Sequence, residues 1–88
     1  MIMITGINRI LEHDGRKFHI QCEDLGDEVG AYEIRVYDGG TVLWLKRLPY
    51  TDLVEKKLPQ HEHEHELRMQ MDKTIKTVEA AVVKGKIS

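Results

Sequence analysis

A single cysteine, Cys22, excludes an internal disulfide and any all-cysteine zinc site. With no oxidising framework in the sequence, the expected compartment is a reducing cytoplasm. The lone serine is Ser88, at the last position, and no Gly-x-Ser-x-Gly, Gly-x-x-x-x-Gly-Lys or dinucleotide fingerprint occurs. Serine nucleophiles and phosphate-cradling loops are therefore not expected. No apolar run approaches the roughly 18 residues of a membrane span. The opening Met-Ile-Met-Ile-Thr-Gly has no basic n-region and soon meets Asn8 and Arg9, so neither an export leader nor a membrane association is expected.

A basic excess is also missing. Residues 1–50 carry six basic and eight acidic side chains, and residues 51–88 carry seven of each. Neither half has the positive surplus that phosphate neutralisation demands, so no nucleic-acid partner is expected. Protonation of all five histidines would move the net charge from −2 to +3, which makes the sign of the molecule pH-dependent.

The length, 88 residues, fits one small domain spanning 1–88. By area scaling a chain of this size buries roughly 64% of its unfolded surface, enough for a two-layer core and little more. Two turn signals organise the first half. Asp14-Gly15 lies between Ile7–His13 and Lys17–Glu23, and Asp38-Gly39-Gly40 lies between Tyr32–Tyr37 and Thr41–Leu48. Each reads as a hairpin, because these residues tolerate the positive φ of tight turns. Phe18, Ile20 and Cys22 alternate with His19, Gln21 and Glu23, and Tyr32, Ile34 and Val36 with Glu33, Arg35 and Tyr37. Val42-Leu43-Trp44-Leu45 is apolar on both faces and reads as a central or doubly covered strand. The connection Asp24–Gly30 reads as a solvated acidic loop.

After Pro49 the period changes. Asp52 and Glu55 fit a capping box, giving a short helical turn over Leu53–Leu58 that Pro59 ends. In the last segment Leu67, Met71, Ile75, Val78, Ala81 and Val82 fall within an arc of about 120°, and Gly85 follows as the stop. The expected fold is a two-layer α+β domain: a four-stranded antiparallel meander packed against one long C-terminal helix, ββββα.

His61-Glu62-His63-Glu64-His65-Glu66 is the segment with the most overt chemistry. On a helix His61 and His65 stand one turn apart and present imidazoles that zinc or nickel accepts; in extended geometry all three, His63 included, would line one edge. The run lacks the His-Glu-x-x-His order that sets a general base beside a metal-held water. The same residues fit a plain helix start. Glu62, Glu64 and Glu66 oppose the positive end of the dipole, Lys73, Lys76 and Lys84 follow toward the other end, and Glu64–Arg68 and Asp72–Lys76 are i,i+4 pairs. The histidines are then simply exposed.

Cys22 belongs to the core face and reads as an inert buried thiol. His13 and His19 lie on neighbouring strands and are candidates to face each other. Asp24, Asp27 and Glu28 lack the ligand spacing of a calcium loop. If Phe18, Ile20, Ile34 and Val36 pack beneath the helix, His19, Arg35 and Tyr37 share the opposite face. Either Trp44 or Leu43 and Leu45 joins them, depending on register. Tyr, Trp and Arg dominate protein-binding hot spots, so this face is a candidate partner surface. Its acids, Glu23 and Glu33 among them, suit RNA poorly. Met69, Ala80 and Val83 form a small apolar patch on the outer side of the helix, where a second copy could pack as a homodimer.

The stretch Phe18-His19-Ile20-Gln21-Cys22-Glu23-Asp24-Leu25-Gly26 resembles a small, uncharacterised bacterial family with a Phe-His-Ile-Gln-Thr-Glu-Asp-like motif. The similarity continues through Gly39-Gly40-Thr41, Tyr50-Thr51-Asp52 and Lys84-Gly85. Cys22 stands where that family has threonine, and the His/Glu run lies outside its pattern. The resemblance implies no known activity. The function expected is a non-catalytic interaction or regulatory module that binds a protein partner through the exposed sheet face or an edge strand. The competing expectation is a metal-binding or pH-responsive protein using His61, His63 and His65.

Overall fold

Alternation at a period of two builds the sheet. The computed structural model describes residues 6–87. The first five residues of the expected leaderless start, and Ser88, lie outside the described residues. Four strands, β1 (Ile7–His13), β2 (Arg16–Asp24), β3 (Ala31–Asp38) and β4 (Thr41–Pro49), are followed by α1 (Thr51–Glu55) and α2 (Gln60–Val83). The strands form one antiparallel meander in the order β1-β2-β3-β4, which with the long helix is the α+β ββββα layout expected. Both hairpins close on two residues with positive φ, Asp14-Gly15 and Gly39-Gly40. That combination matches the right-handed twist of the strands it joins.

Ile20 opposes Val36 and Cys22 opposes Ile34, and all four are fully buried. Onto them α2 lays Leu67, Met71, Ile75, Val78 and Val82. Phe18 closes one end of this core beneath the Arg16 guanidinium, 4.6 Å from the ring centroid, and Arg16 is itself held by Asp38 at 2.6 Å. The helix is pinned laterally by Arg9–Asp72 at 3.0 Å, to β1, and by Tyr32 Oη to Thr74 Oγ1 at 2.7 Å, to β3. Thr74 donates to the Gln70 carbonyl, so the tyrosine hydroxyl donates to Thr74.

The second half departs from expectation in four places. First, β4 is an edge strand. Its apolar residues serve two half-covered faces, with Trp44 and Leu48 on the helix side and Val42 and Leu45 outside. Second, the capping box does not form. Tyr50 takes the N-cap position of α1 and gives no side-chain cap bond, which puts Asp52 inside the first turn. Third, α1 ends before Lys57 turns to φ +51, and Pro59 is the N-cap of α2 rather than the stop of α1. Fourth, the last turn of α2 holds no basic residue, although Glu62 does occupy its first turn. Glu64 accepts from Gln60 at 3.3 Å rather than pairing with Arg68, while Asp72–Lys76 forms at 3.1 Å. As the stop residue, Gly85 behaves as expected. Its N–H reaches Val82 O and that of Lys86 reaches Ala81 O, a Schellman pair that turns Ile87 back onto the core.

Core and open face should separate cleanly under mutation. In urea denaturation Ile34→Ala is expected to cost about 2–5 kcal/mol, and Leu45→Ala about 0.5 kcal/mol or less. Equal costs would contradict the assignment of a buried and an open face.

Candidate functional site

The open face of the sheet is built by register. Ile10 opposes His19, His19 opposes Tyr37 and Tyr37 opposes Val42, so one row crosses all four strands. The next row is Asn8, Gln21, Arg35 and Leu45, and beyond it Glu23, Glu33 and Arg47 line up on β2 to β4. The His19 and Tyr37 rings lie 5.9 Å apart. His19 Nε2 donates to Asn8 Oδ1 at 3.1 Å, and Tyr37 Oη to Gln21 Oε1 at 3.4 Å. Glu33 is buried under two guanidinium groups, those of Arg35 and Arg47. The Tyr37 hydroxyl and the Glu33 carboxylate both raise the Arg35 pKa above its ordinary value, which fixes a positive charge in the middle of the face.

His19, Arg35 and Tyr37 therefore share one surface, as the alternation predicts, and Trp44 does not. From the Gly39-Gly40 turn, Asp38 pairs with Thr41 and Tyr37 with Val42. Carried on without interruption, that register would set Trp44 opposite Arg35, on the open face. A bulge intervenes between Val36 and Tyr37, so Trp44 opposes Val36 on the helix side and Leu45 takes the outer position. The suggested His13–His19 encounter is also absent. His13 pairs with Arg16 and His19 with Ile10.

A second constellation was missed in the sequence. The acidic loop is folded inward at its start, with Asp24 almost wholly buried. Gly26 N–H donates to Asp24 Oδ1 at 2.9 Å, and Tyr50 Oη donates to the same oxygen at 2.7 Å. Tyr50 Oη also lies 3.2 Å from Asp27 Oδ1, which receives His63 Nε2 at 3.0 Å. A carboxylate oxygen only accepts, so Nε2 of His63 carries a hydrogen. The His63 ring sits edge-on to Tyr50, and Tyr50 stacks on Tyr32. Gly30 makes the approach feasible at φ +67. Its carbonyl accepts Tyr50 N–H at 2.7 Å, and a Cβ there would meet Thr51 Cγ2 at 3.0 Å. Burial, then the two carboxylates, push the Tyr50 phenol far above its ordinary value, so it stays a neutral donor. The cluster is a tie between β2, the loop, the start of α1 and the first turn of α2.

His63 thereby leaves the histidine trio. Only 7% exposed, it lies on the helical stripe of Leu67 and Met71, while His61 and His65 stay in solvent one turn apart. A zinc or nickel ion at the run meets two imidazoles, unless His63 abandons Asp27. Among the described residues no group of three or more His, Cys, Asp and Glu side chains is arranged to hold a metal. No helix among them is long and apolar enough to cross a membrane. Met69, Ala80 and Val83 are exposed on the outer side of α2.

Cys22 is fully buried. Burial, with the Asp24 carboxylate adding to it, pushes the thiol from the ordinary 9.0 up to about 12. The unfolded thiol loses its proton near pH 9.0 and the folded one keeps it. Its contribution to stability is full below that pH and lost as pH rises toward about 12. The raised phenols of Tyr32 and Tyr50 act in the same direction. Cys22→Ala should therefore flatten the fall of unfolding free energy across this window by roughly 1.4 kcal/mol per pH unit; an unchanged slope in alkaline urea titrations would contradict the assignment. Tyr50→Phe takes a donor from the buried Asp24 carboxylate and is expected to cost about 1–3 kcal/mol at neutral pH, read by thermal denaturation. Compared with family models, curated proteins and solved structures, the chain matches none.

Proposed function

We propose that this chain is a non-catalytic interaction module that holds a protein partner on the open face of its sheet. One observation carries the reading. Three of the six large apolar side chains left exposed among the described residues, Ile10 (60%), Val42 (48%) and Leu45 (51%), lie on this one face, around the His19–Tyr37 pair and the fixed charge of Arg35. Isolated apolar residues on a surface are ordinary; their convergence on a Tyr and an Arg is the composition of a hot spot. The charges of the face, Glu12, Glu23 and Glu33 against Lys17, Arg35 and Arg47, cancel. That balance suits a protein surface and gives a polyanion no purchase. Four strands about 4.8 Å apart and some eight residues long offer roughly 500 Å² in projection, the size class of a transient contact.

The cluster around Tyr50 supports a non-catalytic role. Its phenol is held neutral and its carboxylates are spent on structural donors. The double variant Arg35→Ala/Tyr37→Ala should keep the wild-type circular-dichroism spectrum and melting temperature within a few degrees. It should also lose at least tenfold in affinity for any protein captured specifically by the wild type. Capture that survives in the folded double variant would rule out this face.

A further inference from the structure

A single helix does not cover a four-stranded sheet evenly. On one flank α2 is drawn to β1 by Arg9–Asp72. On the other flank it stands off β4 and leaves a cleft of about 320 Å³, within the range of small-molecule sites. Its walls are apolar, with Trp44 and Leu48 from β4, Val78 and Ala81 from α2, and Ile87 folded back by the turn at Gly85. The two threonines of the cleft, Thr74 and Thr77, spend their hydroxyl hydrogens on the Gln70 and Lys73 carbonyls of their own helix. Strong donors remain in Lys46 on one bank and Lys73 on the other. Neither lysine takes part in an ion pair among the described residues. Both lysines are exposed, and such side chains lay their stems along apolar surface while the ammonium stays in water.

We propose that this cleft binds a small aliphatic carboxylate, with its chain against Trp44, Leu48 and Val78 and its carboxylate between Lys46 and Lys73. The chemistry selects that class. An apolar wall without free hydroxyls or amides leaves the polar groups of a sugar or nucleoside unsatisfied. Two uncompensated ammonium groups repel a cation and form charge-assisted hydrogen bonds with an acid. The site lies on the helix side of the sheet and stands independently of the partner face.

Trp44 is the only tryptophan of the chain and forms part of the wall, so intrinsic fluorescence reads the cleft directly. Titrations with hexanoate, octanoate and octanol are expected to give saturable changes, with about fourfold tighter binding per added methylene. Octanoate should bind several-fold tighter than octanol, by a margin that shrinks with added salt. Lys46→Met/Lys73→Met, which keeps stems of similar length and removes both charges, should erase that margin, with octanol binding shifted about twofold or less. Ala81→Phe, which fills the cleft, should abolish both responses; if its circular-dichroism spectrum departs from wild type, Thr77→Phe takes its place. No saturable change with octanoate overturns the proposal. So does a margin that survives the double lysine variant, or a response that survives a folded, filled cleft.

Discussion

The Tyr50 hydroxyl, placed between the carboxylates of Asp24 and Asp27, is the contact on which the arrangement of the layers depends. The meander pairs only with itself, and two segments must be brought back over it in the right place. Tyr50 does this for the chain leaving β4. Its N–H is held by Gly30, its hydroxyl by Asp24 and Asp27, and its ring by Tyr32. His63 then fixes the start of α2 to the same Asp27. A buried carboxylate is costly unless its oxygens are satisfied. Asp24 has a backbone N–H and a phenol on one oxygen, and no buried side-chain polar atom among the described residues lacks a partner. The interaction thus specifies where the helix begins, and the apolar stripe behind it supplies most of the burial.

Much of this was written in the periodicities, and the omissions have physical causes. The two hairpin turns, the four strands and the Leu67–Val82 stripe follow from residue spacing alone, because burial on one face imposes periods of 2 and 3.6. The same arithmetic already contained the cluster. Asp24 continues the inward series Phe18, Ile20, Cys22, and His63 stands one turn before Leu67. Taken one at a time, an acid and a histidine look solvated, so neither position stands out in the sequence. What makes them core residues is a pair of partners far away in sequence, Tyr50 and Asp27. The segments Cys22-Glu23-Asp24 and Tyr50-Thr51-Asp52 meet in space through that Asp24–Tyr50 bond.

The edge position of β4 escaped for a different reason. A strand apolar on both faces usually lies inside a sheet, but here one apolar face turns to the helix flank and the other to the open side. Strand order in a meander, rather than hydropathy, decides which strand is last. The failed capping box is similar. Asp52 and Glu55 have the spacing, and Tyr50 takes the cap position because its side chain is committed to the loop.

The bulge between Val36 and Tyr37 links both surfaces of the domain. A hairpin closed on Gly39-Gly40 sets a register that turns Trp44 outward, beside Arg35, and one inserted residue reverses it. The open face then receives Leu45, an aliphatic neighbour for Arg35, in place of a large indole. The helix side receives the indole as a wall for the space that α2 leaves over β4. One backbone irregularity therefore divides the apolar surface of an edge strand between two concave or flat regions of different character. The outer one is neutral overall and flanked by paired charges; the inner one is apolar and bordered by two ammonium groups outside any ion pair among the described residues. In a chain with room for only one small core, that division is how a single sheet comes to present two separate apolar surfaces.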